Sequence, residues 1–124
     1  MHHATCGGAL IVCCLLIRAT AAQAGDAERG RELYEARCTG CHSIEANRVG
    51  PMHRGLFGRK AGAVVDFAYS PALKASIIVW DEGTLDRWLA GPQKMIPGQR
   101  MNFSVDAPQD RADIIAYLKS ATAP

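Results

Sequence analysis

Hydrophobic and polar positions divide this chain into stretches of three kinds. Residues 7–17 read GGALIVCCLLI without a charge. From Asp26 the pattern turns amphipathic: Ala27, Gly30 and Tyr34 recur at i, i+3 and i+7 with Leu33 alongside, which predicts a helix over 27–37. Asp26 suits its N-cap, and Glu28 falls where the helix dipole favours an acid. A second helix is expected from near Asp81 to the Gly91-Pro92 pair, the usual stop signal. The last opens at Asp106-Ala107-Pro108-Gln109, a capping-box-like start with proline in the first turn. It runs to about Ser120, with Ile114, Tyr117 and Leu118 on one face. The third kind of stretch is loop. Residues 43–72 hold Gly50, Pro51, Gly55, Gly58, Gly62 and Pro71, and residues 92–108 hold a Pro97-Gly98 turn. No segment alternates as a strand does, so the fold class is all-α. Gly30 in mid-helix costs about 1 kcal/mol relative to alanine, which predicts close approach by another element. Loops this long are uncommon unless something organises them. A small domain also buries little apolar surface of its own. The pattern calls for a large apolar object at the centre.

The uncharged run has eleven residues, too few for a bilayer, which needs about 20. It has the length of a signal-peptide core, and Ala22-Gln23-Ala24 forms a small-x-small cleavage site. Residues 1–24 are therefore expected to be a cleavable secretory signal and residues 25–124 the single working domain. The start is atypical: His2 and His3 stand where lysine or arginine is usual, and Arg18 lies beyond the run. Composition changes under that reading. The full chain has 124 residues, 48% of them hydrophobic, with five cysteines, four histidines and a formal charge of +2. Cys6, Cys13, Cys14, His2, His3 and Arg18 leave with the signal. An odd number of cysteines, a poor disulfide framework, becomes one pair. Charge near zero argues against a nucleic-acid binder, and the length against a multidomain enzyme.

The remaining pair lies in Cys38-Thr39-Gly40-Cys41-His42, which matches C-x-x-C-H, the attachment signature of c-type haem. Two thiols at this spacing can each add across one haem vinyl group, and the next residue turns its imidazole to the iron. Three other readings use the same residues. A dithiol redox motif lacks its expected strands and helices. A zinc site would need a fourth ligand, for which His53 is poorly spaced. A short-loop disulfide would leave His42 an ordinary exposed residue. If haem is bound, the sixth iron ligand comes from Met52, His53, Met95 or Met101. Met52 and His53 follow closely on the proximal segment. Met95 and Met101 are remote enough to reach the opposite face, and Met101, after the Pro97-Gly98 turn, is better placed.

The stretch Ile96-Pro97-Gly98-Gln99-Arg100-Met101 resembles the methionine-ligand loop of the class I cytochromes c, particularly the soluble mitochondrial and alphaproteobacterial type. Gly50-Pro51, Gly55-Leu56-Phe57-Gly58-Arg59-Lys60, Trp80, Leu85, Leu89, Pro92 and Ile115-Ala116-Tyr117-Leu118-Lys119 resemble that family in order and approximate spacing. The resemblance runs from Gly25 to about Thr122. It implies a fold of three to five short helices and long loops around one haem c, attached through Cys38 and Cys41. It implies His42 and Met101 as the metal ligands. Pro51 would offer its carbonyl to the His42 ring N–H, Tyr69 and Trp80 would hydrogen-bond a haem propionate, and Arg59 would offset its charge. Trp88 would stand near the methionine sulfur, where the family has a tyrosine, and Phe103 would shield the haem edge. Gly30 and Tyr34 would cross the Ile114 and Tyr117 face of the last helix.

These residues imply a soluble one-electron carrier rather than an enzyme, serving respiratory or photosynthetic redox partners. Its partners would be membrane-bound or soluble redox proteins docked transiently near the exposed haem edge. Neither nucleic acid nor stable membrane insertion after signal cleavage is implied, and the expected state is a monomer. The signal favours a bacterial periplasm over the mitochondrial intermembrane space. Arg37, Arg48, Lys94 and Arg100 form a candidate basic rim for docking. Two other functions stay open at this point. A haem peroxidase or gas-binding protein would need a displaceable sixth ligand. A regulatory haem domain would copurify with one fixed subunit.

Overall fold

The computed structural model describes residue 1 and residues 24–124, so the expected signal lies, apart from its two end residues, outside the described residues. Among the described residues five helices follow in order: α1 (Ala27–Arg37), α2 (Pro71–Lys74), α3 (Glu82–Ala90), α4 (Pro92–Met95) and α5 (Pro108–Ala121). The three longer ones are those the periodicity predicts. Asp26 caps α1 by accepting from the backbone N–H groups of Glu28 and Arg29 at 3.0 and 3.1 Å, which removes two of the orphan donors of its first turn. The short helices α2 and α4 interrupt segments that read as loop. Each opens on a proline, whose fixed φ suits a first helical position. Ser70 caps α2 through Leu73 N–H at 3.1 Å.

One capping expectation is corrected. The residue before α5 is Ala107, with no side-chain cap. Asp106 stands one residue too early, and Arg111 holds this entry instead, donating to the carbonyls of Val105 and Asp106 at 3.0 and 2.8 Å. A reciprocal capping box does occur, at α3. Asp81 Oδ1 accepts from Thr84 N–H, and Thr84 Oγ1 accepts from Asp81 N–H, both at 2.7 Å.

Helices α1 and α5 form the main contact, and α3 packs against α5 and α4. The crossing depends on Gly30. A Cβ there would lie 1.9 Å from the Asp113 carbonyl oxygen and 3.0 Å from Tyr117 Cβ. The missing side chain lets the two backbones nearly touch, and Tyr34 then stacks obliquely on Tyr117 with ring centroids 5.3 Å apart. Tyr34, Leu85, Leu89, Ile114 and Leu118 belong to one buried cluster. Asp113, 1% exposed, ties the helix starts together. Its carboxylate accepts from Asp26 N–H and Gln109 Nε2, both at 2.8 Å, and from Arg29 Nη1. Burial would raise its pKa, but these hydrogen bonds outweigh burial and hold it below the usual carboxylate value.

The described residues contain no strand, only an isolated antiparallel bridge between Lys60 and Val79. Around it Trp80 N–H donates to Arg59 O and Gly58 N–H to Trp80 O, at 2.9 and 2.8 Å. These bonds fold the long loop back so that Arg59 and Trp80 face the same interior space. No helix among the described residues is long and apolar enough to cross a membrane.

Candidate functional site

Cys38 is the C-cap of α1, its N–H bonded to Tyr34 O at 2.8 Å. The chain then turns tightly, with Cys41 and His42 N–H both donating to Cys38 O at 3.1 and 2.9 Å. Thr39 Oγ1 donates to Glu35 O at 2.7 Å, satisfying a carbonyl that the helix end leaves free. This turn directs His42 inward. Both cysteines are free thiols, Cys38 half-buried and Cys41 exposed. Burial pushes the Cys38 thiol up to about 11.

The space they face is a cavity of about 530 Å³ enclosed by the loops and by α1, α3 and α5. Ligand pockets span roughly 300–1,000 Å³. Its walls are mainly apolar: Leu56, Trp80, Leu85, Leu89, Ile114 and Leu118 all contribute. Trp80 and Trp88 meet edge to face, centroids 5.4 Å apart, and both are buried.

The His42 ring is seated by two neighbours. Its Nδ1 lies 2.9 Å from Pro51 O, a contact that requires the proton on Nδ1 and leaves Nε2 with a free lone pair. A Cβ on Gly50 would fall 2.2 Å from the His42 ring, so only glycine lets the backbone cradle it. Burial lowers the His42 pKa, partly opposed by the Pro51 hydrogen bond, and favours the neutral ring.

Of the four sixth-ligand candidates, Met101 and His53 line the cavity; Met52 and Met95 do not. His53 stacks on His42, centroids 4.2 Å apart and planes 21° from parallel, so it stands beside His42 rather than across from it. Tyr34 Oη lies 2.9 Å from His53 Nδ1. Burial, reinforced by the nearby titratable His42 and the charge of Arg59, pushes the His53 pKa down to about 3, so this ring is neutral. Sequence reasoning missed the Tyr34–His53 pair, because the two residues lie 19 apart and only the fold joins them.

Met101 reaches the cavity through the Pro97-Gly98 turn. Gly98 has φ +91, a left-handed conformation that glycine adopts without strain, and Gln99 N–H donates to Ile96 O at 3.2 Å. Val105 N–H donates to Leu89 O at 2.7 Å and ties the end of this loop to α3.

The remaining sequence candidates line the same cavity. Arg59 donates to the carbonyls of Arg54 and Met52 at 2.7 and 3.0 Å, and burial lowers its pKa. Tyr69 Oη accepts from Val64 N–H at 3.1 Å. Phe103, 40% exposed, stands at the mouth. Of the four basic-rim residues, Arg37 is paired with Asp110 at 3.0 Å across α1 and α5. Arg48 donates to Thr39 O at 2.8 Å, and Arg100 lines the mouth.

This donor set fits a haem. The apolar cavity would exclude water from a flat, largely apolar ring, and His42 presents an unprotonated nitrogen to it. Met101 presents a soft thioether to the same space, and the two thiols stand at the rim.

Comparison with known proteins agrees with the geometry. The family model for Cytochrome c matches residues 27–122. Cytochrome c of Chlamydomonas reinhardtii is 44% identical over 106 residues, 82% of this chain and 95% of that protein. Cytochrome c of Euglena viridis is 46% identical over 99 residues, 77% of this chain and 97% of that one. Among solved structures, cytochrome cH from Methylobacterium extorquens superposes with a TM-score of 0.74 at 46% identity, covering 77% of this chain and 99% of that chain.

Proposed function

This chain belongs to the cytochrome c family of electron-transfer proteins, and we propose that it carries one haem c on Cys38 and Cys41, ligated by His42 and Met101. The observation that carries the reading is one apolar cavity lined by both His42 and Met101, with Cys38 and Cys41 beside them. Bound there, a haem supplies an iron that accepts and returns one electron, and a thioether ligand favours its reduced form. Pro51 holds the His42 proton on Nδ1, which orients the ring and raises its basicity as a ligand. Trp80, Trp88 and Leu85 exclude water. Arg59 and Tyr69 offer polar hydrogens for anionic groups at the cavity wall, and Phe103 covers the edge through which electrons pass. The family's redox partners are met transiently at that edge. Residues 1–24 act as a cleavable export signal, which places the domain in a periplasm.

Replacing Met101 tests the ligand assignment. The ferric parent is expected to show a thioether-to-iron charge-transfer band that Met101→Ala abolishes. A band that survives the substitution defeats the assignment. Carbon monoxide separates the carrier from the peroxidase or gas-binding alternative: the reduced parent should exclude it at neutral pH, and the variant should bind it. Rapid, tight binding by the parent would overturn the carrier reading.

Docking is expected to be electrostatic but weaker than a full basic ring would give, because Asp110 neutralises Arg37. Arg48, Lys94 and Arg100 remain. Oxidation of the reduced protein by ferricyanide, an anionic oxidant, should slow several-fold as ionic strength rises from roughly 0.02 to 0.2 M. A flat response removes these three residues from docking.

A further inference from the structure

Gln99 is 3% exposed, a rare burial for a primary amide, and both ends of that amide are engaged. Its Oε1 accepts from Met101 N–H at 2.5 Å, and its Nε2 donates to Met101 O at 3.0 Å. The side chain thus pairs with the Met101 peptide groups as a neighbouring strand would. A second glutamine seats the first. Gln93 Nε2 donates to Gln99 O at 2.9 Å, and Gln93 Oε1 accepts from Gly98 N–H at 3.2 Å. Two side-chain amides therefore close four hydrogen bonds over residues 93–101. That loop otherwise has the Pro97-Gly98 turn and the tie at Val105.

We propose that Gln99, seated by Gln93, is a positioning residue that fixes the Met101 backbone and so sets how readily Met101 gives up the iron. This rests on Met101 being the ligand. A methionine thioether is a weak donor on a flexible stem, so the lifetime of its bond depends on how little freedom the backbone behind it has. With the clamp intact, departure of the sulfur must come from side-chain rotation or from breaking two partly buried hydrogen bonds. Without it, the peptide at Met101 can swing away from the cavity with the side chain.

The test uses the ferric holoprotein and imidazole, whose binding at high concentration is limited by departure of Met101. Gln99→Ala should raise that limiting rate about 10- to 30-fold, the loss of two neutral hydrogen bonds. Gln99→Glu keeps an acceptor for Met101 N–H but loses the donor to Met101 O, so it should fall between. Gln93→Ala should act in the same direction and less strongly, and it serves alone if the Gln99 variants do not fold. Hydrogen exchange separates the clamp from general loosening: the Met101 amide should exchange faster in Gln99→Ala, while the Val105 amide, bonded to Leu89 O, should not. Limiting rates within twofold of the parent, or equal acceleration at both amides, overturn the proposal. Met101→Ala distinguishes the two failures. Retention of the charge-transfer band in Met101→Ala refutes the ligand and the clamp together, whereas its loss with unchanged imidazole rates in the Gln99 and Gln93 variants refutes the clamp alone.

Discussion

Gly30→Ala is expected to destabilise the holoprotein by about 3 kcal/mol, although alanine is the better helix former. Propensity alone would predict a gain of about 1 kcal/mol in a helix interior. Packing reverses the sign. The added methyl would meet the Asp113 carbonyl oxygen at 1.9 Å and the carbonyl carbon at 2.5 Å. Those are backbone atoms of α5 and cannot turn aside as a side-chain tip does. Helices α1 and α5 would have to separate, loosening Tyr34 against Tyr117 and the Ile114 and Leu118 packing beneath. Chemical denaturation of the haem-loaded protein measures the loss. Gly40→Ala serves as the control, since nothing lies within 4 Å of a Cβ there. An unchanged midpoint for Gly30→Ala would mean that the close crossing does not hold the fold together.

The second large effect is expected at Asp113. Replacement by alanine leaves Asp26 N–H and Gln109 Nε2 without their acceptor and removes one of the two carboxylates that Arg29 meets. A loss of about 1–2 kcal/mol follows from removing charge-assisted hydrogen bonds whose donors sit on exposed residues and can turn to water. It should also depend on pH. The folded pKa of Asp113 is depressed, so its contribution is fully present above the unfolded carboxylate value of about 4 and is lost as pH falls through the lower, folded value. Parent and Asp113→Ala should therefore differ most near neutrality and converge in acid. Asp110 is held low by Arg29 and Arg37, and Glu28 by Arg31, so both proteins keep part of the acid sensitivity. Denaturation series from roughly pH 7 to pH 2 read the difference directly. Two curves that stay parallel throughout would show that Asp113 titrates alike in the folded and unfolded chains.

The legibility of the fold followed the range of each signal. Helices α1, α3 and α5 show in the sequence because their periodicity and end signals are local. Helices α2 and α4 are four residues each, too short for a period to register, and their leading prolines read as breakers. The start of α5 misled for a related reason. Asp106 has the right chemistry for a cap but stands one residue early, and the helix start goes uncapped while Arg111, within α5, donates to the carbonyls of Val105 and Asp106. At the site, Cys38, Cys41 and His42 were legible because their chemistry lies in their spacing. Met101 was the best placed of four candidates by position, and family resemblance strengthened that choice; the fold brings it to the cavity and leaves Met52 and Met95 outside.

The sequence by itself determined the helical class, the attachment motif, and a chain too polar and too short to fill its own centre. Those properties reside in neighbouring residues, so the order of the letters suffices to read them. Tertiary structure decided which side chains meet: His53 beside His42 rather than opposite it, Arg37 spent on Asp110, and a buried glutamine closed on the Met101 peptide. Each depends on where α1, α5 and the long loops come to rest. That placement is set by packing around one cavity, a property of the whole chain that no local stretch contains.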